Sequence, residues 1–314
     1  MNIIWEGVFS AVTTKFGNDY SLDFKAFDYN LQEQVAAGVD GIIIGGTLGE
    51  SSVLTNSEKN ELLKFTIDHV KGKVPVILNI AEGSTAEAVK IAEAAARGGV
   101  SGLMALPPMR YKSDHRETVE YFKAIANATD LQIMIYNNPI DYKVEVTLDM
   151  FEDLAVCKNI QAVKESTRDV VNITRMINRF GDRFSMLSGV DTLAMESLLM
   201  GAKGWVAGLV CAFPKETVAI YKLVKAGRLR EALEINRWFM PLLELDTLSK
   251  LVQYIKLAEA EAGMGTETVR PPRLTLTGEE RETTLKVIRD GLRSRPRLPE
   301  YLGIPKKSSY STVR

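Results

Sequence analysis

The chain alternates short, almost wholly apolar runs with longer segments whose apolar residues recur every three to four positions. Runs of the first kind are typical of strands buried on both faces, and the second spacing is typical of amphipathic helices. The pattern predicts eight strands, at residues 7–15, 41–46, 74–80, 102–106, 132–136, 160–164, 184–188 and 204–209.

Helical segments are expected between these strands. The segment 57–69 has Thr55 or Asn56 as its N-cap, and the Ala-rich segment 85–97 is closed by Gly98 and Gly99. Residues 150–155 and 170–180 continue the alternation. After the eighth strand the pattern is helical only, at residues 215–225, 229–243, 249–262 and 278–292.

Strands that each precede a helix predict a (β/α)8 TIM barrel followed by a C-terminal helical extension. We expect the barrel in residues 1–225, the extension in 226–295 and a flexible basic tail in 296–314. An open doubly wound sheet is the alternative, and that fold ordinarily carries a Gly-rich phosphate loop. No GxGxxG motif follows the first predicted strand, and no GxxxxGK[ST] motif occurs in the chain.

Composition and charge argue against several classes of partner. The net charge is −1, so no basic surface for nucleic acid is expected. No apolar run reaches the about 18 residues of a membrane span, and residues 1–6 lack the features of a secretory signal. Cys157 and Cys211 form no CxxC motif, and we therefore expect a reduced, cytoplasmic protein.

The sequence lacks the motifs of several kinds of catalytic site. His69 and His115 are the only histidines, and no HExxH motif, His/Cys cluster or GxSxG elbow occurs. We expect no metal site and no organic cofactor. The remaining reactive groups are those of Lys, Tyr, Thr and the carboxylates.

Lys164 ends the sixth predicted strand, in an otherwise mostly apolar run. A buried ammonium is costly unless it is paired or neutral, and a neutral lysine forms Schiff bases with carbonyl compounds. Strand alternation places Ala162 and Lys164 on one face, so if Ala162 faces the barrel interior, Lys164 points into its mouth. The alternative is a structural lysine paired with Glu165 or another acid.

Other polar groups follow the predicted strands at the end where TIM barrels bind substrates. Gly45-Gly46-Thr47 offers a hydroxyl and an anion-binding set of backbone N–H groups, or is an ordinary turn. Tyr136 can relay protons if a nearby charge lowers its pKa, or it packs as a core aromatic. Gly189 lets the backbone approach a ligand, or relieves crowding at the rim.

Four motifs in this order resemble the dihydrodipicolinate synthase / N-acetylneuraminate lyase family: GGTLGES at 45–51, YNNP at 136–139, VKEST at 163–167 and SGVD at 188–191. The resemblance spans roughly residues 5–295 and includes Val269-Arg270-Pro271-Pro272. It implies a TIM barrel, usually a homotetramer, that binds a small 2-oxo acid or its cyclic imine.

The resemblance also assigns roles to single residues. Lys164 would form the Schiff base, and Tyr136 would relay protons. Thr47, with backbone N–H groups around Leu48 and Gly49, would hold the substrate carboxylate. Gly189 would lie against the substrate carbon skeleton.

The chain departs from the synthase pattern at three positions. Leu48 stands where synthases carry a second threonine of the hydroxyl relay, and Asp141 where they carry an arginine for the second substrate's carboxylate. The tyrosine that another subunit contributes is replaced within residues 106–110, with Tyr111 one position away. An acidic Asp141 suits a hydroxyl or an amine better than a second carboxylate.

These departures favour the dehydratase and deaminase branches of the family. Overall resemblance favours the branch that converts 1-pyrroline-4-hydroxy-2-carboxylate to 2-oxoglutarate semialdehyde in hydroxyproline catabolism. The alternatives are a 2-keto-3-deoxy sugar acid aldolase or dehydratase and, less favoured, dihydrodipicolinate synthase. A non-catalytic 2-oxo-acid sensor also stays open, although the joint presence of Lys164, Tyr136 and Thr47 argues against it.

Overall fold

Eight parallel strands close into a barrel in this computed structural model, which describes residues 3–108 and 110–304. The strands are β1 Gly7–Ala11, β2 Gly41–Ile44, β3 Val76–Ile80, β4 Gly102–Ala105, β5 Gln132–Asn137, β6 Ile160–Glu165, β7 Ser185–Ser188 and β8 Gly204–Ala207. Each strand pairs with the next in chain order, and β8 pairs with β1. The predicted (β/α)8 architecture and all eight predicted strands are confirmed.

Helices surround the barrel and continue beyond it. They are α1 Phe24–Ala37, α2 Asn56–Val70, α3 Thr85–Arg97, α4 His115–Asn127, α5 Pro139–Tyr142, α6 Leu148–Leu154, α7 Val171–Phe180, α8 Ala194–Leu199, α9 Pro214–Lys225, α10 Leu229–Leu243, α11 Leu251–Glu261 and α12 Gly278–Arg293. Thr55 is the N-cap of α2, where its side chain and that of Glu58 form a reciprocal capping box. No helix in the described part of the chain has the length and apolar character needed to cross a membrane.

The first strand is shorter than predicted. It ends at Ala11, whereas the expected strand ran to residue 15. The side chains of Thr13 and Lys15 leave the barrel and bond Glu259 of α11, at 2.6 Å and 3.0 Å. The polar residues of this run therefore serve the contact with the helical extension instead of the sheet.

The barrel interior is filled by one apolar side chain from every strand: Phe9, Ile43, Ile77, Met104, Met134, Ala162, Leu187 and Val206. Ala162 faces inward, as the sequence pattern anticipated. Side chains two residues apart on a strand share a face, so Lys164 stands above Ala162 at the C-terminal end of the barrel.

The helical extension is fastened to the barrel by two buried ion pairs. Lys256 Nζ lies 2.8 Å from Glu50, and Lys15 Nζ lies 3.0 Å from Glu259. The backbone N–H of Arg270 donates to the second oxygen of Glu50 at 3.0 Å. These contacts hold α11, and the 3-10 turn Glu244–Thr247 that precedes it, at the barrel mouth.

The predicted basic tail lies only partly within the described residues. Of the range 296–314, the structure describes 296–304, and the rest falls outside it. In the described part, the backbone carbonyl of Leu302 accepts a hydrogen bond from Lys222 of α9 at 3.1 Å. The Tyr301 hydroxyl bonds the carboxylate of Glu231 in α10.

Candidate active site

A cavity opens at the C-terminal ends of the strands, where TIM-barrel enzymes bind their substrates. Its walls come from the segments after β2, β5, β6, β7 and β8, and from the turn Glu244–Thr247. The predicted site residues that line it are Thr47, Leu48, Tyr136, Asp141, Lys164 and Gly189. Gly49 does not line it, and its backbone carbonyl accepts a hydrogen bond from Thr14 Oγ1 at 2.7 Å.

Lys164 reaches the cavity from β6 while staying only 7% exposed. Among the described residues no carboxylate forms an ion pair with it, and Glu165 instead accepts from the backbone N–H of Thr167 and from Asn172. The proposed Lys164–Glu165 pair is therefore not present. Burial lowers the pKa of Lys164, with attraction from nearby acidic groups opposing the shift. A lysine in this setting is a candidate neutral nucleophile.

Tyr136 packs directly against this amine. Lys164 Nζ lies 3.9 Å from the centroid of the Tyr136 ring. The phenol oxygen accepts a hydrogen bond from Asn138 Nδ2 at 3.1 Å. Burial raises the pKa of Tyr136 to about 12, which is opposite to the lowering by a nearby charge that a proton relay was expected to need. The Tyr136 phenol therefore keeps its proton at neutral pH.

Asn138 joins this phenol to the outer part of the cavity. Its Nδ2 also donates to Asp141 Oδ2 at 2.7 Å, while Asn138 Oδ1 accepts from the Asp141 backbone at 3.2 Å. These bonds cap the N-terminus of the short helix α5 and hold the exposed Asp141 carboxylate at the cavity rim.

Tyr142 is a second tyrosine in the cavity, for which sequence analysis favoured no role. Its hydroxyl lies 2.6 Å from Thr47 Oγ1, and its ring packs edge-on to Tyr136 with centroids 5.5 Å apart. Burial raises the pKa of Tyr142, so it too holds its proton at neutral pH. The position follows from α5, which begins at the proline of YNNP and ends at Tyr142 in the cavity wall.

Gly189 leaves no space for a side chain. A Cβ at this position would lie 2.1 Å from Ser166 Oγ and 2.6 Å from Lys164 Cγ. The missing Cβ therefore lets the loop after β7 lie against the lysine stem, and it leaves the amine accessible from the cavity.

Two carboxyl groups and one guanidinium in this region were not singled out by sequence reasoning. Asp191 accepts hydrogen bonds from Trp205 Nε1, Gly208 N and Leu209 N, at 2.8, 3.1 and 2.8 Å. Asp246 and Arg168 line the cavity. Asp191 could have been found from the sequence, because it belongs to the SGVD motif. Asp246 and Arg168 lie in no motif that marks them as site residues.

Comparisons with known proteins agree on one family. The model of the dihydrodipicolinate synthetase family matches residues 5–290. A 4-hydroxy-tetrahydrodipicolinate synthase of Aquifex aeolicus is 31% identical over 286 residues, covering 91% of this chain and 97% of the relative. One of Exiguobacterium sibiricum is 32% identical over 273 residues, covering 87% and 92%.

Solved structures give the same result. A dihydrodipicolinate synthase of Bacillus anthracis superposes with a TM-score of 0.88 at 29% identity, covering 94% of this chain and 100% of the other. A structure described as the first monomeric dihydrodipicolinate synthase variant gives a TM-score of 0.86 at 26% identity, covering 92% and 96%. The chain therefore belongs to the dihydrodipicolinate synthetase family of Schiff-base-forming lyases.

Proposed function

We propose that the enzyme forms a Schiff base between Lys164 and a 2-oxo acid or its cyclic imine, and that it converts 1-pyrroline-4-hydroxy-2-carboxylate to 2-oxoglutarate semialdehyde and ammonia. The observation that carries this choice is the acidic outer part of the cavity. Asp141 and Asp246 both line it. The exposed Asp141 carboxylate suits the hydroxyl and the amine of this substrate and disfavours a second carboxylate.

The first step is attack of the neutral Lys164 amine on C2 of the pyrroline. Burial lowers the pKa of this lysine, which increases the fraction of nucleophilic amine at neutral pH. The Lys164 N–C2 bond forms, the C2–N1 bond breaks, and the ring nitrogen leaves as a primary amine on C5. The substrate carboxylate would be held by the Thr47 hydroxyl and the backbone N–H groups beside it.

The second step removes a proton from C3. The iminium nitrogen would stand near the present position of Nζ, 3.9 Å from the Tyr136 ring centroid. A positive charge there stabilises the phenolate, so iminium formation lowers the pKa of Tyr136. Tyr136 can then give its proton to the ring nitrogen as it leaves C2, and the resulting phenolate takes the C3 proton in exchange, which gives the enamine.

The third step expels the C4 hydroxyl as water and leaves a conjugated iminium. Tautomerisation moves the double bond to C5, where an imine forms from the primary amine. Hydrolysis at C5 releases ammonia, and hydrolysis at C2 frees Lys164. One water is lost and two are taken up, so the overall reaction consumes one water.

A second candidate is 4-hydroxy-tetrahydrodipicolinate synthase activity. The curated relatives described above carry that name. Arg168 lines the cavity and is a cation able to bind a second carboxylate. Against this candidate stand Leu48, which lacks the hydroxyl of the relay, and Asp141, which replaces the expected arginine.

We also propose that the protein assembles as a homotetramer, as the family resemblance implies. The hydroxyl pair Thr47–Tyr142 lies within one chain, so this part of the site does not require a residue from a partner. A monomeric form with activity equal to that of the assembly would be compatible with this geometry, and a monomeric variant is among the similar dihydrodipicolinate synthase structures.

Product analysis with purified enzyme tests the proposed function. The enzyme would be incubated with 1-pyrroline-4-hydroxy-2-carboxylate or with pyruvate plus aspartate semialdehyde, with Lys164→Arg as the control. Release of ammonia and 2-oxoglutarate semialdehyde from the first substrate is expected. Condensation with the second pair and no ammonia from the first would replace the proposal with the synthase. Turnover of neither would favour the sugar acid lyase or the sensor.

A further inference from the structure

Asp246 is a cavity carboxyl group without a hydrogen-bonding partner among the described residues. It lies in the turn Glu244–Thr247, between α10 and α11, and lines the same cavity as Lys164. No group in residues 3–108 or 110–304 donates a hydrogen bond to its side chain. The side chain is half-buried, and its oxygens have no donor within the described chain, so they are free to bond a group in the cavity.

Asp191 shows the contrast within the same site. Its two oxygens accept from one indole N–H and two backbone N–H groups, so its role is to fix the loop after β8. Asp246 interacts with Asp191 and Lys164 through charge and not through a hydrogen bond. Of the two carboxyl groups, Asp246 is the one whose oxygens are available to a substrate.

Leu48 and Asp246 lie against the same glycine. A Cβ at Gly208 would lie 2.5 Å from Asp246 Oδ1 and 3.0 Å from Leu48 Cδ1. Gly208 therefore makes room for the carboxyl group, while Leu48 provides an apolar neighbour that cannot donate a hydrogen bond. A threonine in place of Leu48 would put a hydroxyl, one bond nearer the backbone than Leu48 Cδ1, on the same wall of the cavity.

The surroundings favour the protonated form of this acid. Burial raises the pKa of Asp246 well above the usual carboxyl range, and the charges of Asp191 and Asp141 act in the same direction. Lys164 and Arg168 oppose the shift. A carboxylic acid kept neutral in this way can donate a proton at neutral pH.

We propose that Asp246 is a catalytic residue that protonates the hydroxyl leaving C4; this role rests on the dehydration proposed above. The lone pair of the enamine nitrogen reforms the C2=N bond, and the electrons of the C2=C3 double bond move to form C3=C4. The C4–O bond breaks with its electrons on oxygen, which takes the Asp246 proton and departs as water. Asp246 is left as a carboxylate beside the iminium and regains its proton from solvent.

This role also separates dehydration from aldol cleavage. Cleavage of the C3–C4 bond needs a base to take the proton of the C4 hydroxyl. A neutral acid at that hydroxyl assists its departure instead. The arrangement of Leu48, Gly208 and Asp246 therefore assigns the enzyme to elimination chemistry within its family.

The test compares Asp246→Asn with Glu244→Gln, an exposed acid in the same turn. Exchange of the pyruvate methyl protons with deuterated water, followed by NMR, reports Schiff-base and enamine formation without any leaving group. Ammonia release from 1-pyrroline-4-hydroxy-2-carboxylate reports the full reaction. We expect Asp246→Asn to keep its exchange rate within about threefold and to lose about 10²- to 10⁴-fold in ammonia release, the usual effect of a general acid. Glu244→Gln should match the wild type in both.

Each other outcome has a distinct meaning. Ammonia release by Asp246→Asn within threefold of wild type overturns the role of Asp246 alone, as does equal loss of exchange and release. Wild-type enzyme that exchanges pyruvate protons but releases no ammonia overturns the proposed function and this role together.

A second variant keeps the test informative if Asp246→Asn folds poorly. Leu48→Thr adds a donor that stabilises the ionised carboxylate, so it should slow ammonia release and move the basic limb of the kcat–pH profile to lower pH. An unchanged profile in a folded Leu48→Thr enzyme contradicts the proposal.

Discussion

The Tyr142 hydroxyl lies 2.6 Å from Thr47 Oγ1, joining the segment after β2 to helix α5 within one chain. In the family that the sequence resembles, another subunit contributes a tyrosine to the hydroxyl relay, and in this sequence that tyrosine is replaced within residues 106–110. Tyr142 bonds the threonine from within the chain, and its ring also contacts Tyr136. The hydroxyl groups around Lys164 are thus organised by two segments of a single subunit.

Tyr142→Phe should lower kcat/KM about tenfold, because one hydrogen bond of about 1–1.5 kcal/mol that orients Thr47 is lost. Steady-state kinetics on the variant would measure this effect. Tyr111→Phe is the matched control, since Tyr111 is 57% exposed and does not line the cavity. Equal kinetics for the two variants would mean that Tyr142 has no function beyond packing.

Lys164→Met should abolish turnover and stabilise the fold. Burial lowers the folded-state pKa of Lys164 below its ordinary value of 10.5, so the unfolded chain binds a proton first as pH falls. Wild-type stability therefore declines with falling pH between 10.5 and the lowered folded pKa, by at most about 1.4 kcal/mol per pH unit. Urea unfolding at several pH values should show the variant's advantage growing as pH is lowered through that window. If the stability difference between the variant and wild type shrank as pH fell, the lowered folded-state pKa of Lys164 would be contradicted.

Gly189→Ala should destabilise the enzyme by about 1–3 kcal/mol and block Schiff-base formation. The added Cβ would lie 2.1 Å from Ser166 Oγ and 2.6 Å from Lys164 Cγ, so the lysine stem must move. Gly46→Ala is a control for stability, because a Cβ there meets no atom within 4 Å. Comparable thermal stability for the two alanine variants would show that the loop after β7 can shift at little cost.

Glu50→Gln should destabilise the fold by about 3–5 kcal/mol, because it leaves the buried Lys256 ammonium without its partner. Denaturant unfolding would measure this loss, together with that of the double variant Glu50→Gln/Lys256→Met. We expect the double variant to recover most of the stability, because it removes the unpaired charge. If the single variant is as stable as wild type, Glu50 does not fasten the extension to the barrel.

Much of this architecture was readable from the sequence, since apolar runs and strand alternation are local signals. The pairing of Ala162 with Lys164 on one strand face correctly placed the lysine above the barrel interior. Contacts between segments that are distant in the sequence could not be predicted. The side chains of Thr13 and Lys15 bond α11 and the first strand ends early, and nothing local predicts that contact.

The same limit explains the site residues that sequence reasoning missed. Asp246 belongs to the helical extension and reaches the cavity only because α10 and α11 fold back over the barrel. Its significance depends on Gly208 and Leu48, which come from other segments. The raised pKa of Tyr136 also depends on burial that no local pattern encodes.

The most direct test of the central claim is borohydride reduction of the enzyme with pyruvate, followed by intact-mass measurement and peptide mapping. The account predicts one adduct on Lys164 and none in Lys164→Arg. Lys256 is an informative internal control, because burial lowers its pKa to about 8 but its amine is buried against Glu50. An adduct on Lys256 or another lysine, or no adduct on the folded enzyme, would contradict the assignment of Lys164 as the Schiff-base residue.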